Sequence, residues 1–320
     1  MMTVGSIPMR VLVTGGAGFI GSHLTDALLA RGDQVTILDN LSTGRPARLD
    51  PRAPLYQISV TDQGAVTALI GQIRPEVIFH LAAQVDVRAS VADPAADAEV
   101  NITGSINVLE AARAAGTRLV FAGTGGALYG MNAPVPSPED LLPEPEAPYG
   151  TAKYCAEQYI GLYNRLHGAR HAVLRLGNVY GPRQDPGGEA GVVSIFCGRV
   201  TSGQRPVVYG DGSQTRDYVY VGNVVDAFLA AADSGQPGTW NIGTGSETSV
   251  LDLVRLIGQA AGQDLQPQFA PPRPGELQRS GLDPTRASHD LGWTSTTPLH
   301  KGVAAVYRWV QAGEPDRAER

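Results

Sequence analysis

Cysteine is nearly missing from this 320-residue chain, which carries only Cys155 and Cys197. That argues against a secreted disulfide framework and against a cysteine-based zinc site. Positive charge is also in short supply. Lys+Arg total 25 against 31 Asp+Glu, a formal net charge of −6, which argues against a general nucleic-acid or anionic-membrane binder. Arg45, Arg48 and Arg52 form a local basic run and read as a solvated face. No apolar stretch approaches the roughly 20 residues of a membrane span. Residues 1–10 lack a charged segment followed by a long apolar core, so no signal peptide is expected. His167 and His171 have the spacing of two ligands on a helix, but Gly168 lies between them and no third ligand follows. No metal site is expected. Internal repeats and low-complexity tracts are absent.

What is present is a chain with 42% hydrophobic residues. Its length corresponds to about two domains, and a chain of this size removes roughly 75% of its unfolded surface from water without a metal or disulfide staple. The expectation is a soluble, cytoplasmic α/β protein. The termini, 1–9 and the highly charged 314–320, read as ragged or frayed.

Two kinds of segment alternate through the first half. RVLVT at 10–14, QVTIL at 34–38, EVIFHL at 76–81 and LVFA at 119–122 read as strands. Residues 20–30 read as a helix with Leu24, Ala27 and Leu28 on one face. The strands are apolar without strict alternation, as expected where helices cover both faces of a parallel sheet. Repetition of strand, helix and strand implies right-handed crossovers and a doubly wound, Rossmann-type α/β fold. The second half is less regular. Gly and Pro cluster at 181–191, 203–212 and 271–275 and mark loops. Short strands are expected at 172–176, 206–209 and 218–221, and a helix at 223–232. This describes a smaller, loop-rich substrate domain interleaved with returns to the main sheet. Trp240, Trp293 and Trp309 read as packing residues, and Cys155 as a small hydrophobe.

The segment TGGAGFIG at 14–21 follows the first strand and opens the first helix. Glycines at 15, 18 and 21 allow a tight turn, close approach to a pyrophosphate and close helix–sheet packing. The helix N-terminus then offers amide donors and a positive dipole to phosphate. Asp39 follows Gly21 by 18 residues and ends the second strand, where a carboxylate accepts hydrogen bonds from an adenosine ribose. The same charge repels a 2′-phosphate, and the next arginine is Arg45. The expected cofactor is therefore NAD rather than NADP.

Tyr149 and Lys153 form Y-x-x-x-K in a stretch suited to a helix, which stacks them on one face. An ammonium beside a phenol favours the phenolate and lowers the tyrosine pKa from near 10, making it a usable base. Thr124 falls just after the strand at 119–122, on the carboxyl edge where such sheets bind ligands. Its hydroxyl is positioned to exchange a hydrogen bond with a substrate oxygen beside Tyr149.

The strings TGGAGFIG, DNLSTG, FHLAAQ, YGTAKYCAE and NVYGPRQ, with GDGSQTRDYVYV further on, resemble the extended short-chain dehydrogenase/reductases. Within them the chain is similar to the NAD-dependent epimerase/dehydratase family and looks most like the UDP-glucose (UDP-galactose) 4-epimerases, from about residue 10 to about 293. The resemblance implies Tyr149 as base, Lys153 as its electrostatic partner and Thr124 as the hydroxyl third member. It implies an NAD site built from Gly15, Gly18, Phe19, Ile20, Gly21, Asp39, Asn40, Ser42, Thr43, Gly44, Ser59, Val60, Leu81, Ala82, Ala83, Gln84 and Asn101, together with Tyr149 and Lys153. Asn101 would also help hold the active-site loop. Substrate contacts are implied at Asn178, Val193 and Arg216, at Arg273 of RPGE as a second phosphate arginine, and at Ser280, besides Thr124 and Tyr149. Residues 1–177, with returns near 217–245, form the NAD domain in this scheme, and 178–320 mainly the nucleotide-sugar domain. A homodimer is implied as well.

The chain departs from the family pattern in two places. Ser59 stands where an aspartate often faces the adenine, and the loop at 122–126 is one residue longer and richer in glycine. The implied reaction is 4-epimerisation of a UDP-hexose through a 4-keto intermediate. The rival nucleotide-sugar dehydratases and decarboxylases want carboxylates directly after the threonine, where this chain has Gly125 and Gly126. Another nucleotide-sugar epimerase or reductase, or a non-catalytic NAD-binding regulator, remains the alternative, although a regulator has no need of Tyr149 and Lys153. The small Ser280, beside the likewise small Gly281, is expected to border the sugar pocket and to admit N-acetylated sugars.

Overall fold

The computed structural model describes residues 8–186, 191–273 and 275–313. Most of the N-terminal stretch and the 314–320 tail expected to fray lie outside the described residues. Pro274 and four residues of the 181–191 loop do too. The strands in the first half are β1 (Arg10–Thr14), β2 (Gln34–Asp39), β3 (Leu55–Gln57), β4 (Val77–His80), β5 (Arg118–Thr124) and β6 (Ala172–Leu176). They are followed by β7 (Asn178–Tyr180), β8 (Val207–Tyr209), β9 (Thr215–Arg216) and β10 (Tyr218–Tyr220). The last three are β11 (Gly238–Ile242), β12 (Thr248–Ser249) and β13 (Gln268–Ala270).

The helices of the first half are α1 (Phe19–Arg31), α2 (Gln63–Ile73), α3 (Val87–Ala92), α4 (Pro94–Ala98), α5 (Gly104–Ala115) and α6 (Pro148–His167). The second half holds α7 (Val192–Thr201), α8 (Val221–Ser234), α9 (Val250–Ala261), α10 (Thr285–Leu291) and α11 (Leu299–Gln311). The expected strands at 10–14 and 172–176 match β1 and β6. The short β3 and the π-helical turn Glu99–Thr103 had no counterpart in the sequence reading.

Seven strands form one parallel sheet in the order β11-β6-β5-β4-β1-β2-β3. The direction of winding reverses between β1 and β4, the crevice where doubly wound sheets bind ligands. Successive residues of each strand feed opposite faces, which is why β1 and β5 read as continuous apolar runs. Val11, Val13 and Val120 pack with Leu24, Leu28 and Phe228 of α1 and α8 on one side. Leu12, Leu119 and Phe121 pack with Ile70, Leu109 and Ile160 of α2, α5 and α6 on the other. Each fully buried side chain of this size stabilises the fold by about 1.5–3 kcal/mol. Trp240 and Trp293 belong to the first of these clusters.

A separate cluster, including Phe196, Leu253, Ile257 and Val303, lies under α7, α9 and α11. There α9 opens with a capping box in which Ser249 and Asp252 satisfy each other's backbone amides. Gly168, at φ +62°, closes α6 in the left-handed conformation that suits glycine. His171 therefore does not continue the helix of His167. Its Nδ1 accepts the Leu119 amide at 3.1 Å.

Candidate active site

The glycine loop joins β1 to α1 at the switch point. Gly15 has φ +71°, and a Cβ there would lie 2.7 Å from the Ala82 nitrogen, so only glycine lets the loop meet the strand-end segment at 81–82. A Cβ on Gly21 would overlap the Gly15 carbonyl. Helix α1 starts at Phe19 with no side-chain cap, which leaves its first amides for an anion. Phe19 stands edge-on to His23, and Ile20 packs on the core.

Asp39, at the end of β2, is buried. Its Oδ2 accepts the Ala17 amide at 2.9 Å and its Oδ1 the Leu41 amide at 2.8 Å. The carboxylate thus ties the glycine loop to the β2 edge, and each oxygen keeps a further lone pair for a ribose hydroxyl. Gly44 lies against Asp39 and Ala17, the Asn40 side chain accepts the Ser42 amide, and Ser42 and Thr43 are exposed. The Ser59 hydroxyl is shared with Thr61 at 2.8 Å, whereas Val60 is buried beneath Gly104.

Past β4, Leu81, Ala82 and Ala83 line the same edge, half-buried. Thr14 Oγ1 accepts the Ala82 amide at 3.2 Å and lies 2.7 Å from His80 Nδ1. Asn101 clamps the next residue: its Oδ1 accepts the Gln84 amide at 3.1 Å and its Nδ2 donates to the Gln84 carbonyl at 2.9 Å. Asn101 reaches Gln84 from the π-helical turn.

Tyr149 and Lys153 occupy successive turns of α6. The Tyr149 phenol faces the Thr124 hydroxyl, which accepts the Ala127 amide at 3.3 Å. Lys153 is buried, with Nζ 4.2 Å from the centre of the Phe121 ring, a cation–π arrangement. The expectation that Lys153 sets the phenol's pKa is corrected by the electrostatics. Burial, followed by the Asp97 charge, pushes Tyr149 up to about 12, and the Thr124 hydrogen bond pulls the other way. Burial pulls Lys153 down to about 7, against the pull of Asp97. Loss of water is the largest influence on both groups. His80, which shares hydrogen bonds with Thr14 and Ser105, is held neutral, its pKa lowered to about 3 by burial and by Lys153.

The remaining expected substrate residues fall in the second half of the chain, on β7, α7, β9 and the 273–281 segment. Asn178 opens β7 beside Gly126, and its buried Oδ1 has no hydrogen-bond partner among the described residues. Arg216, in β9, donates to the Thr215 carbonyl at 2.8 Å and lies 3.8 Å from Glu276. The Arg273 guanidinium stacks 4.0 Å from the centre of the Tyr209 ring. Ser280 is half-buried, its amide donating to the Thr215 carbonyl at 3.2 Å, beside Arg216. Gly281 is buried against Val135. Val193 is not brought into the cleft by its side chain, which is buried with Tyr180 and Phe196 in the core under α7. Asp97, His80 and the Glu157–Arg175 pair were missed by sequence reasoning. His80 stands inside FHLAAQ, a usable signal, but a lone aspartate and an 18-residue separation carry none.

A glycine turn at a sheet switch point, a ribose-side carboxylate and a Tyr/Lys/Thr cluster define a dinucleotide-dependent enzyme of the doubly wound class. Residues 11–243 match the model of the NAD dependent epimerase/dehydratase family. The chain belongs to that family. It is 46% identical over 310 residues to a UDP-glucose 4-epimerase of Mycolicibacterium smegmatis, covering 95% of this chain and 99% of that protein. The crystal structure of the UDP-glucose 4-epimerase of Thermotoga maritima with UDP-glucose superposes with a TM-score of 0.94 at 44% identity, covering 96% of this chain and 100% of the other. That of Thermus thermophilus, solved in complex with NAD, gives 0.88 at 43% identity, covering 94% and 98%.

Proposed function

We propose that this protein is an NAD-dependent 4-epimerase of UDP-hexoses, interconverting UDP-glucose and UDP-galactose. The observation that carries the reading is Tyr149 facing Thr124, with Gly125 and Gly126 standing where an eliminating carboxylate would be needed. A Cβ on Gly125 would lie 2.5 Å from Leu282 Cδ1, which disfavours the dehydratase alternative. The residues fit NAD: the close approach at Gly15 and Gly21, the uncapped start of α1 and the spare lone pairs of Asp39 are what a pyrophosphate and an adenosine ribose require. Leu81, Ala82, Ala83, Gln84 and Asn101 would line the nicotinamide side.

When bound, NAD supplies an acceptor that takes the C4 hydrogen as hydride and later returns it. In its phenolate form, the minor one in the protein alone, Tyr149 takes the proton of the sugar's 4-hydroxyl and gives it back when the carbonyl is reduced, so C4 passes through a ketone and net redox change is zero. Thr124 holds the same oxygen by hydrogen bond. Lys153, one turn further along α6, would line the cofactor side with Tyr149. Asn178, Arg216 and Arg273 hold the diphosphate, the guanidinium groups by bidentate contact. The hexose ring is left free to turn its other face to the cofactor.

The exposed apolar side chains Tyr159, Leu162 and Leu166 of α6, spaced along one helical face, support a homodimer built on that helix. Both cysteines are free thiols, which supports a reducing, cytoplasmic setting. Among the described residues no helix is long and apolar enough to cross a membrane. The test is to incubate purified protein with UDP-glucose and no added NAD, and to analyse the sugar released on acid hydrolysis. Galactose is expected, and its absence with NAD subsequently added overturns the reading.

A further inference from the structure

Asp217 stands between β9 and β10 and is 1% exposed. A buried carboxylate is costly unless hydrogen bonds replace its water, and this one is supplied from two distant stretches of chain. Its Oδ1 accepts the Thr244 hydroxyl at 2.5 Å and the Thr244 amide at 2.8 Å. Its Oδ2 accepts the Gly245 amide at 3.2 Å and the Leu282 amide at 3.3 Å. The chain makes room for this: a Cβ on Gly243 would overlap Asp217 Oδ2.

The segments gathered in this way are those that carry the proposed substrate residues. Arg216 precedes Asp217 directly. The Asp217 backbone carbonyl accepts the Asn178 amide at 2.8 Å, so β7 starts in register with β10 and Asn178 is fixed near Arg216. Leu282, which the carboxylate holds by its amide, ends the 280–282 segment that includes Ser280. That segment is tied down on its other side as well, because the Gly281 carbonyl accepts the Ser137 amide at 2.9 Å. The Leu282 side chain then covers Gly125, the residue after Thr124.

We propose that Asp217 is a positioning residue for the nucleotide-sugar site: its carbonyl sets Asn178 beside Arg216, and its carboxylate draws the 280–282 segment against the turn that follows Thr124. The identity of the ligand rests on the epimerase reading. Loss of the carboxylate leaves Asn178, Arg216 and the NAD-lining residues chemically intact but releases the 280–282 segment, so its cost falls on the nucleotide and not on NAD.

NAD-bound protein and its Asp217→Asn variant are compared, with UDP as the ligand. Asparagine keeps one oxygen and turns an amino group toward donors that need an acceptor. Amide hydrogen exchange, followed by mass spectrometry, is expected to quicken at 243–245 and 280–282. The UDP dissociation constant, measured by calorimetry, is expected to rise about tenfold or more, the scale of one lost hydrogen bond to a charged group, with NAD content unchanged. Unchanged exchange at both segments overturns the proposal. Faster exchange with unchanged UDP affinity overturns it too, since a merely structural aspartate predicts that combination, and so does a loss of NAD equal to that of UDP. Should Asp217→Asn not fold, Thr244→Val removes only the hydroxyl donor to Oδ1. UDP is then expected to bind roughly twofold more weakly or worse, and unchanged affinity overturns the proposal equally. Wild-type protein that binds UDP but forms no C4 epimer counts against the epimerase reading alone, whereas protein that binds no UDP overturns both.

Discussion

Arg175 on β6 and Glu157 on α6 form a buried ion pair, with Nε 3.0 Å from Oε2. The same guanidinium donates to Tyr129 Oη at 2.7 Å and to the Glu139 carbonyl at 2.9 Å. Glu157 stands one turn beyond Lys153, so this network anchors the catalytic helix to the sheet. Arg175→Met leaves the Glu157 carboxylate buried and uncompensated. We expect a loss of about 3–5 kcal/mol of stability, read by urea unfolding. A loss below about 1 kcal/mol would show that water or a neighbour replaces the guanidinium.

Tyr149→Phe removes the proton-transfer group and keeps the ring. One positioned acid/base usually supplies roughly 10²–10⁴-fold in rate, so epimer formation from UDP-glucose is expected to fall by at least that factor. NAD binding, followed by fluorescence, is expected to persist. Near wild-type turnover would remove Tyr149 from the role.

Asp39→Ala deletes the acceptor of the Ala17 and Leu41 amides together with the negative charge at the ribose edge. Hydrogen bonds to a charged group contribute about 1.5–3 kcal/mol. NAD affinity, measured by calorimetry, is therefore expected to drop about tenfold or more, and the preference over NADP to shrink. Unchanged NAD affinity would refute this reading of the β2 edge.

Ser280→Tyr places a ring at the proposed border of the sugar pocket. The wild-type protein is expected to epimerise UDP-N-acetylglucosamine as well as UDP-glucose. The variant is expected to lose turnover of the N-acetylated sugar selectively. Equal loss for both sugars, or no loss for either, sinks the assignment.

His171 contributes an acid-labile part of the stability. Burial, with help from Arg118, lowers its pKa to about 4, while the unfolded chain binds the same proton near 6.5. The unfolded state therefore gains protons first, and stability present above about pH 6.5 is lost as the pH falls toward about 4. The slope is about 1.4 kcal/mol per pH unit for one proton. His171→Gln keeps an acceptor for the Leu119 amide and does not titrate. Its melting temperature is expected to fall less across that pH range than that of the wild type, and an identical pH profile would contradict the assignment.

The sequence by itself determined the parallel sheet, the glycine turn, Asp39 and the Tyr149/Lys153 stack, because each depends on spacing within one strand, one turn or one helix. The alternation that puts Val11 and Leu12 on opposite faces is a property of the strand. The placing of Tyr149 above Lys153 is a property of the helix. Only the tertiary structure decided what surrounds those groups. Asp97 lies on α4, which packs on α6 from far earlier in the chain, and no local pattern announces it. Val193 sits at the start of a helix, and whether it faces substrate or core was settled by the packing of α7 against α11. The protonation of Tyr149 was decided the same way. Sequence proximity promised a lysine that lowers the phenol's pKa, but the packing of α6 on the sheet strips water from both groups, and desolvation is a property of the assembled interior.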